Sequence, residues 1–291
     1  MSSNALKIIK ESLMIVTILV AASMLLAPTL FLTSSSIERA HSYAKDKSLY
    51  VEVSFDAQDL KDPSKVKRKP AGSGSGFVYD LDGHYFLVTN RHVCEAGGVK
   101  YCKGISNPEI KFVNSSNKSL SFQDFFISEK TDLCYVALDK DQALSLADPF
   151  EGASSSPYGE EVFAVGHPGG REDSVTTNGV YVSEGIQVYL GNIETATRAC
   201  PGETKEQYEK RVDDYIEKVK KEGKVEDLFY YKSVSTTIPI YSGNSGGAMF
   251  NSSGKLVGIS TFTMGPAPHG YGVHVVELDL ELKKFIKWRK R

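Results

Sequence analysis

Apolar residues in this chain are parcelled into short runs, and that parcelling constrains the fold more than any other feature. YVEVSF (50–55), SGFVYD (75–80), HYFLVTN (84–90), EIKFV (109–113), DLCYVAL (132–138), EVFAVG (161–166), GVYVSEGIQVYL (179–190), SVSTTIPI (233–240) and KLVGISTFT (255–263) are divided by Gly, Asn, Asp and Ser. Runs of this length, rich in β-branched and aromatic residues and bounded by turn formers, read as strands. Many of them in succession predict an all-β sandwich or barrels. The chain has 291 residues, 41% of them hydrophobic, which is ample for a core. With 34 basic against 36 acidic side chains and a net charge of -2, nothing points to a nucleic-acid partner.

Two helices interrupt the strands. Over 204–222, Thr204 and Gln207 have capping-box spacing, and Tyr208, Val212, Tyr215, Ile216 and Val219 form one narrow apolar stripe on a charged helix. Gly223 can end it. This helix lies in a charged insert at about 199–230, and its stripe must pack against something: the outer wall of the fold, or a lid or subunit contact that would make a homo-oligomer. The second helix spans about Leu278–Trp288.

The N-terminus differs. Leu13–Leu32 contains no charged residue, and twenty helical residues span about 30 Å, the hydrocarbon thickness of a bilayer. Lys7 and Lys10 precede it, favouring a cytoplasmic N-terminus. The organisation expected is a cytoplasmic segment 1–12, a transmembrane anchor or signal segment 13–32, a polar tether 33–50 and one domain over 51–291. A cleaved secretion signal is the alternative to the anchor, and either reading exports the remainder of the chain. The four cysteines, Cys94, Cys102, Cys134 and Cys200, match no zinc template, and no metal or cofactor is expected. Cys94 and Cys102 are close enough in sequence to staple a local loop, whereas Cys134, in an apolar run, reads as a buried free thiol.

Three segments carry chemistry together: GSGSGFVYDLDGHYFLVTNRHVC (72–94), TDLCYVAL (131–138) and YSGNSGGAMFNSSGKLVGIS (241–260). A serine hydroxyl needs a neighbouring base to become a nucleophile. Histidine suits that task, and a carboxylate on its far ring nitrogen fixes the tautomer. The developing oxyanion needs backbone donors, and glycines on both sides of Ser245 let the backbone turn sharply and come close to a substrate carbonyl. His92 is thus the candidate general base, Asp132 the orienting acid and Ser245 the nucleophile, with the amides of Gly243 and Ser245 as oxyanion donors.

These segments resemble the trypsin-like serine peptidases of the bacterial Deg/HtrA type, in the chymotrypsin-fold clan. GSGSGF resembles that family's first-strand motif, LVTNRHV its histidine motif, TDLCYVAL its aspartate motif and SGNSGGAMFNSSGKLVGIS its serine motif; VGHPGG (165–170) resembles a Gly-Pro segment early in the second barrel. The resemblance, over about residues 70–282, implies two six-stranded antiparallel β-barrels with a C-terminal helix, and endopeptidase activity on exported polypeptides. Only about 46 residues follow Ser245, too few for the PDZ domain that such enzymes often carry.

Position for position, Pro239 or Ile240 would sit at the base of the pocket for the residue preceding the cleaved bond. No Asp is there, so a small or medium apolar residue is expected rather than Lys or Arg. Ser260, Thr261 and Phe262 should pair with substrate backbone by strand addition, and Tyr271-Gly272 should help Phe262 narrow the pocket. His269 or His274 could instead bind a Glu side chain. The competing function is a membrane-tethered peptide-binding protein on a protease fold without catalysis. A reporter fused after Lys45 is expected to behave as exported; a secreted form whose mature N-terminus lies near Lys45 would replace the anchor with a cleaved signal.

Overall fold

In the computed structural model, β1 (Ser48–Gln58) sets the pattern of the first half: Leu49, Val51, Val53, Phe55 and Ala57 alternate inward, the first four fully buried. It pairs on one side with β2 (Val66–Leu81) and on the other with β4 (Ile105–Val113), both antiparallel. With β3 (His84–Thr89), β5 (Ser119–Phe122), β6 (Phe126–Ile127) and β7 (Cys134–Leu138), the sheet runs β5-β4-β1-β2-β3-β7-β6, and β8 (Phe150–Glu151) adds parallel to β2. The second half closes as a six-stranded barrel, β10-β11-β14-β13-β12-β9. Its strands are β9 (Glu161–Gly166), β10 (Val175–Leu190), β11 (Leu228–Thr236), β12 (Ala248–Asn251), β13 (Leu256–Thr263) and β14 (Gly270–His274). The described residues are 36–58, 62, 64–95, 105–152, 156–190, 203–222, 228–263 and 269–290.

The all-β expectation holds, but among the described residues only the second half closes as a six-stranded barrel. The first is an eight-stranded sheet, because the 16-residue β2 is long enough to pair with β1, β3 and β8 along its length. Each half has its own core: Leu49, Val51, Val78, Leu87, Ile110 and Phe112 in the first, and Val162, Ala164, Val234, Ile238, Met249 and Val257 in the second.

The helices are α1 (Ser36–Ala44), α2 (Arg91–Cys94), α3 (Lys140–Leu146), α4 (Lys205–Glu222) and α5 (Val275–Arg289). Part of the expected tether 33–50 is therefore helical, with Ala40 and Ala44 buried, and Ser48 already belongs to β1. In α4 the capping box forms as its spacing predicts: Thr204 N donates to Gln207 Oε1 at 2.9 Å and Gln207 N to Thr204 Oγ1 at 3.3 Å. Four residues of the stripe are not buried, however: Tyr208, Val212 and Tyr215 are half-buried and Ile216 is exposed, and the Val219 side chain lies outside those described. The C-terminal helix α5 starts at a His274 cap, whose Nδ1 accepts from Val276 N at 3.0 Å. It buries Val275, Leu278, Leu282 and Phe285, and Phe285 meets Phe86, Phe126 and Tyr135 of the first sheet. Among the described residues no helix is long and apolar enough to cross a membrane; the segment 13–32 lies outside them.

The cysteine expectation is overturned. Cys94 is bonded to Cys134, with Cα atoms 6.4 Å apart and a sequence separation of 40. Pairing of Thr89 with Cys134 places the end of β3, and hence α2, against the start of β7, a proximity that sequence spacing cannot reveal. Cys134 is buried as expected, but as half of a cross-link. Cys102 and Cys200 lie outside the described residues. A Cys94→Ser/Cys134→Ser double variant is expected to lose about 3–4 kcal/mol of unfolding free energy, from release of a closed loop of this length; an unchanged denaturant midpoint would contradict this.

Candidate active site

His92 stands on the single turn of α2, directly after β3, and Asp132 on the loop entering β7. Asp132 is fully buried, and His92 serves both of its oxygens: His92 N donates to Oδ1 at 3.0 Å, and His92 Nδ1 lies 2.8 Å from Oδ2. A carboxylate only accepts, so a ring proton lies on Nδ1, and in the neutral imidazole the lone pair is then on Nε2.

Neighbouring residues fix this pair. Asn90 Nδ2 donates to Asp132 O at 2.9 Å and to Thr261 Oγ1 at 3.3 Å, joining the histidine turn, the aspartate loop and β13. Buried Arg91 pairs with Glu95 at 3.2 Å and donates to Ser128 O at 3.2 Å. Ser128 N in turn donates to Leu133 O at 2.9 Å, closing the loop that carries Asp132. The Cys94–Cys134 bond ties the residue two after His92 to the residue two after Asp132.

Ser245 lies between β11 and β12 of the barrel, in YSGNSGG. Its Oγ donates to Thr261 O at 3.2 Å. Thr261 sits where the β13–β14 register shifts between Ser260 and Phe262, which leaves its carbonyl off the ladder. Gly243 and Gly246 have φ of 96° and 86°, in the left-handed region. A Cβ would meet His167 O at 2.4 Å at the first and Ser75 O at 2.2 Å at the second, so neither position admits a side chain.

The peptide groups of this loop are pinned one by one. Ser242 O accepts from Gly169 N at 2.7 Å, Gly243 O from Ser75 Oγ at 2.7 Å, Asn244 O from Gly247 N at 2.9 Å and Ser245 O from Ser75 N at 2.8 Å. Asn244 N donates to Tyr241 O at 2.9 Å and Gly246 N to Ser260 O at 2.8 Å. Among the described residues, Gly243 N and Ser245 N have no acceptor in the chain. A trans peptide points its N–H opposite to its C=O. Anchoring Ser242 O and Asn244 O therefore turns these two amides to the other side.

The expected substrate-binding residues divide. Pro239 and Ile240 follow β11, and Ile240 Cγ1 fills the space beside Gly270. Ser260 is fully buried, with its N–H on Gly247 O and its carbonyl on Gly246 N; the loop that carries Ser245 thus uses both of its strand-pairing groups. Thr261 and Phe262 are the remaining parts of that segment, and Phe262 stacks on Tyr271 with ring centroids 5.4 Å apart. His274 is the buried α5 cap, with Nε2 3.2 Å from Glu184 Oε1, so both of its ring nitrogens are engaged and it is not a pocket residue. His269 is half-buried just before β14.

Ser75, Asn90, Arg91 and His167 escaped the sequence reading. The only signal was their place inside or beside the quoted motifs, because their partners are distant in sequence. His167 is buried, and its Nδ1 lies 3.0 Å from Arg171 O. Burial pushes its pKa down, against the pull of the Arg171 and Glu172 carbonyls. A histidine depressed in the folded state contributes stability that is present above its unfolded pKa, near 6.5, and is lost as pH falls below it, because only the unfolded chain then takes up the proton readily. A His167→Gln variant is expected to show a shallower fall in unfolding midpoint between about pH 7 and pH 5 than the unaltered chain; equal slopes would contradict this.

Residues 74–259 match the family model described as "Trypsin-like peptidase domain". The chain is 26% identical over 208 residues to Protease Do-like 1, chloroplastic, of Arabidopsis thaliana, covering 72% of this chain and 37% of that protein. It is 27% identical over 203 residues to a probable periplasmic serine endoprotease DegP-like of Rickettsia conorii, covering 69% and 30%. This chain thus spans only about a third of those relatives' length. Among solved structures, the active form of the Rv3671c protease from M. tuberculosis superposes with a TM-score of 0.54 at 16% identity over 85% of each chain. Deg5 superposes with 0.51 at 19% identity over 85% of this chain and 93% of its own. Both likenesses give the same fold, and with a family match over most of its length the chain belongs to the trypsin-like peptidase domain family.

Proposed function

We propose that the chain is a serine endopeptidase that cleaves peptide bonds through an acyl-enzyme. The observation that carries this reading is the buried Asp132 carboxylate, whose two oxygens are both held by His92 at 2.8 and 3.0 Å. That arrangement leaves Nε2 as a base. Ser245 Oγ attacks the substrate carbonyl carbon while Nε2 takes its proton. The carbonyl oxygen becomes an oxyanion opposite the amides of Gly243 and Ser245. Collapse breaks the C–N bond, with the proton returned to the leaving amine, and water repeats the sequence on the ester. Asp132 stays ionised throughout.

The substrates are exported polypeptides. The uncharged run 13–32 supports export, as anchor or as signal, and so do relatives named as periplasmic endoproteases. Pro239 and Ile240, with Phe262 stacked on Tyr271, favour a small or medium apolar residue before the cleaved bond.

A fluorophosphonate probe is expected to label the chain, and Ser245→Ala to abolish labelling. Peptide hydrolysis is expected to fall about 10⁴–10⁶-fold in Ser245→Ala or His92→Ala. Undiminished hydrolysis in either variant would refute the assignment. Loss of labelling with intact peptide binding in the unaltered chain would favour a binding protein.

A further inference from the structure

Ser75 is the point at which the first sheet takes hold of the nucleophile loop. It lies in β2, fully buried, and all three of its polar groups are used. Its N–H donates to Ser245 O at 2.8 Å, and its hydroxyl donates to Gly243 O at 2.7 Å. The same hydroxyl accepts from His167 N at 2.8 Å, and its carbonyl accepts from Thr89 Oγ1 at 2.7 Å, three residues before His92.

The hydroxyl therefore secures Gly243 twice. Directly, it fixes the 243–244 peptide. Indirectly, it tethers the His167-Pro168-Gly169 turn, whose Gly169 N–H anchors Ser242 O at 2.7 Å and so sets the 242–243 peptide. Gly243 is a residue whose backbone could rotate freely, held with both flanking peptides fixed at a φ of 96°. Its N–H faces away from the anchored Ser242 carbonyl, as an oxyanion donor requires.

We propose that Ser75 is a positioning residue of the oxyanion hole: its hydroxyl, touching no substrate, holds the Gly243 amide in the donating orientation. The proposal rests on the serine-endopeptidase reading above. Removing the hydroxyl frees Gly243 O and unties His167 N, which loosens the turn whose Gly169 N–H anchors Ser242 O, while the backbone bond from Ser75 N to Ser245 O remains. The loss then falls on the transition state, where the oxyanion exists, and not on the bound peptide.

The test compares the unaltered chain, Ser75→Ala and Ser75→Cys in hydrolysis of a peptide substrate and in binding of a peptide boronate of the same sequence. Ser75→Ala is expected to lower kcat on the order of 10–10² with KM within about threefold. Boronate affinity is expected to fall by a similar factor. Affinity for the uncleaved peptide, compared between Ser245→Ala and Ser75→Ala/Ser245→Ala, is expected to stay within about threefold. Ser75→Cys, near in size with a weak donor, is expected to lie between the two and decides the matter if Ser75→Ala does not fold. An unchanged kcat in either folded variant overturns the proposal, and so does a loss confined to KM and peptide affinity. Absence of hydrolysis by the unaltered chain would refute the endopeptidase reading instead.

Discussion

A carboxylate fully removed from water is costly unless donors replace the solvent it has lost. Asp132 is in that position, and His92 supplies two of those donors from one residue, a backbone amide and a ring nitrogen. The pairing works only if the histidine turn and the aspartate loop stay in register. Much of the first sheet serves that end: the β3–β7 ladder, the Asn90 bridge, the Arg91 bond to the Ser128 carbonyl and the Cys94–Cys134 cross-link all join the same two segments. Rigidity here is a condition for the chemistry, since a general base must meet its nucleophile in one geometry.

Ser245, the proposed nucleophile, comes from the other half of the molecule, and the two halves meet here through backbone and side-chain groups together. Ser75 of β2 reaches Gly243 and Ser245, while Asn90 reaches Thr261, whose carbonyl accepts from Ser245 Oγ. Glycine at 243 and 246 is required on two counts, positive φ and the absence of room for a Cβ. Flexible residues are thereby held in single conformations by their neighbours, which is how a backbone donor pair can be ready before substrate arrives.

Much of this was legible in the sequence, for identifiable reasons. Strand alternation in β1, the Thr204–Gln207 capping box and the C-terminal helix are local patterns that the fold preserves. The segments holding His92, Asp132 and Ser245 could be picked out because each combines a reactive side chain with an adjoining strand or glycine turn. What escaped notice was non-local. Nearness in sequence favoured Cys102 as the partner of Cys94, but strand pairing brought Cys134 there. Ser260 read as a substrate-pairing residue, yet its backbone is committed to Gly246 and Gly247. The role of Ser75 depends on partners about 90 and 170 residues away, which no periodicity encodes. The short strands β5, β6, β8, β12 and β14 carry too few residues to form a pattern of their own.

The central claim is that Ser245 is the nucleophile and that the free amides beside it face the developing oxyanion. A crystal structure of the chain with a peptide boronate tests both parts at once. The account predicts boron bonded to Ser245 Oγ, with one boronate oxygen about 2.7–3.1 Å from both Gly243 N and Ser245 N. A boronate bound elsewhere, or one on Ser245 whose oxygens avoid the Gly243 amide, would contradict it.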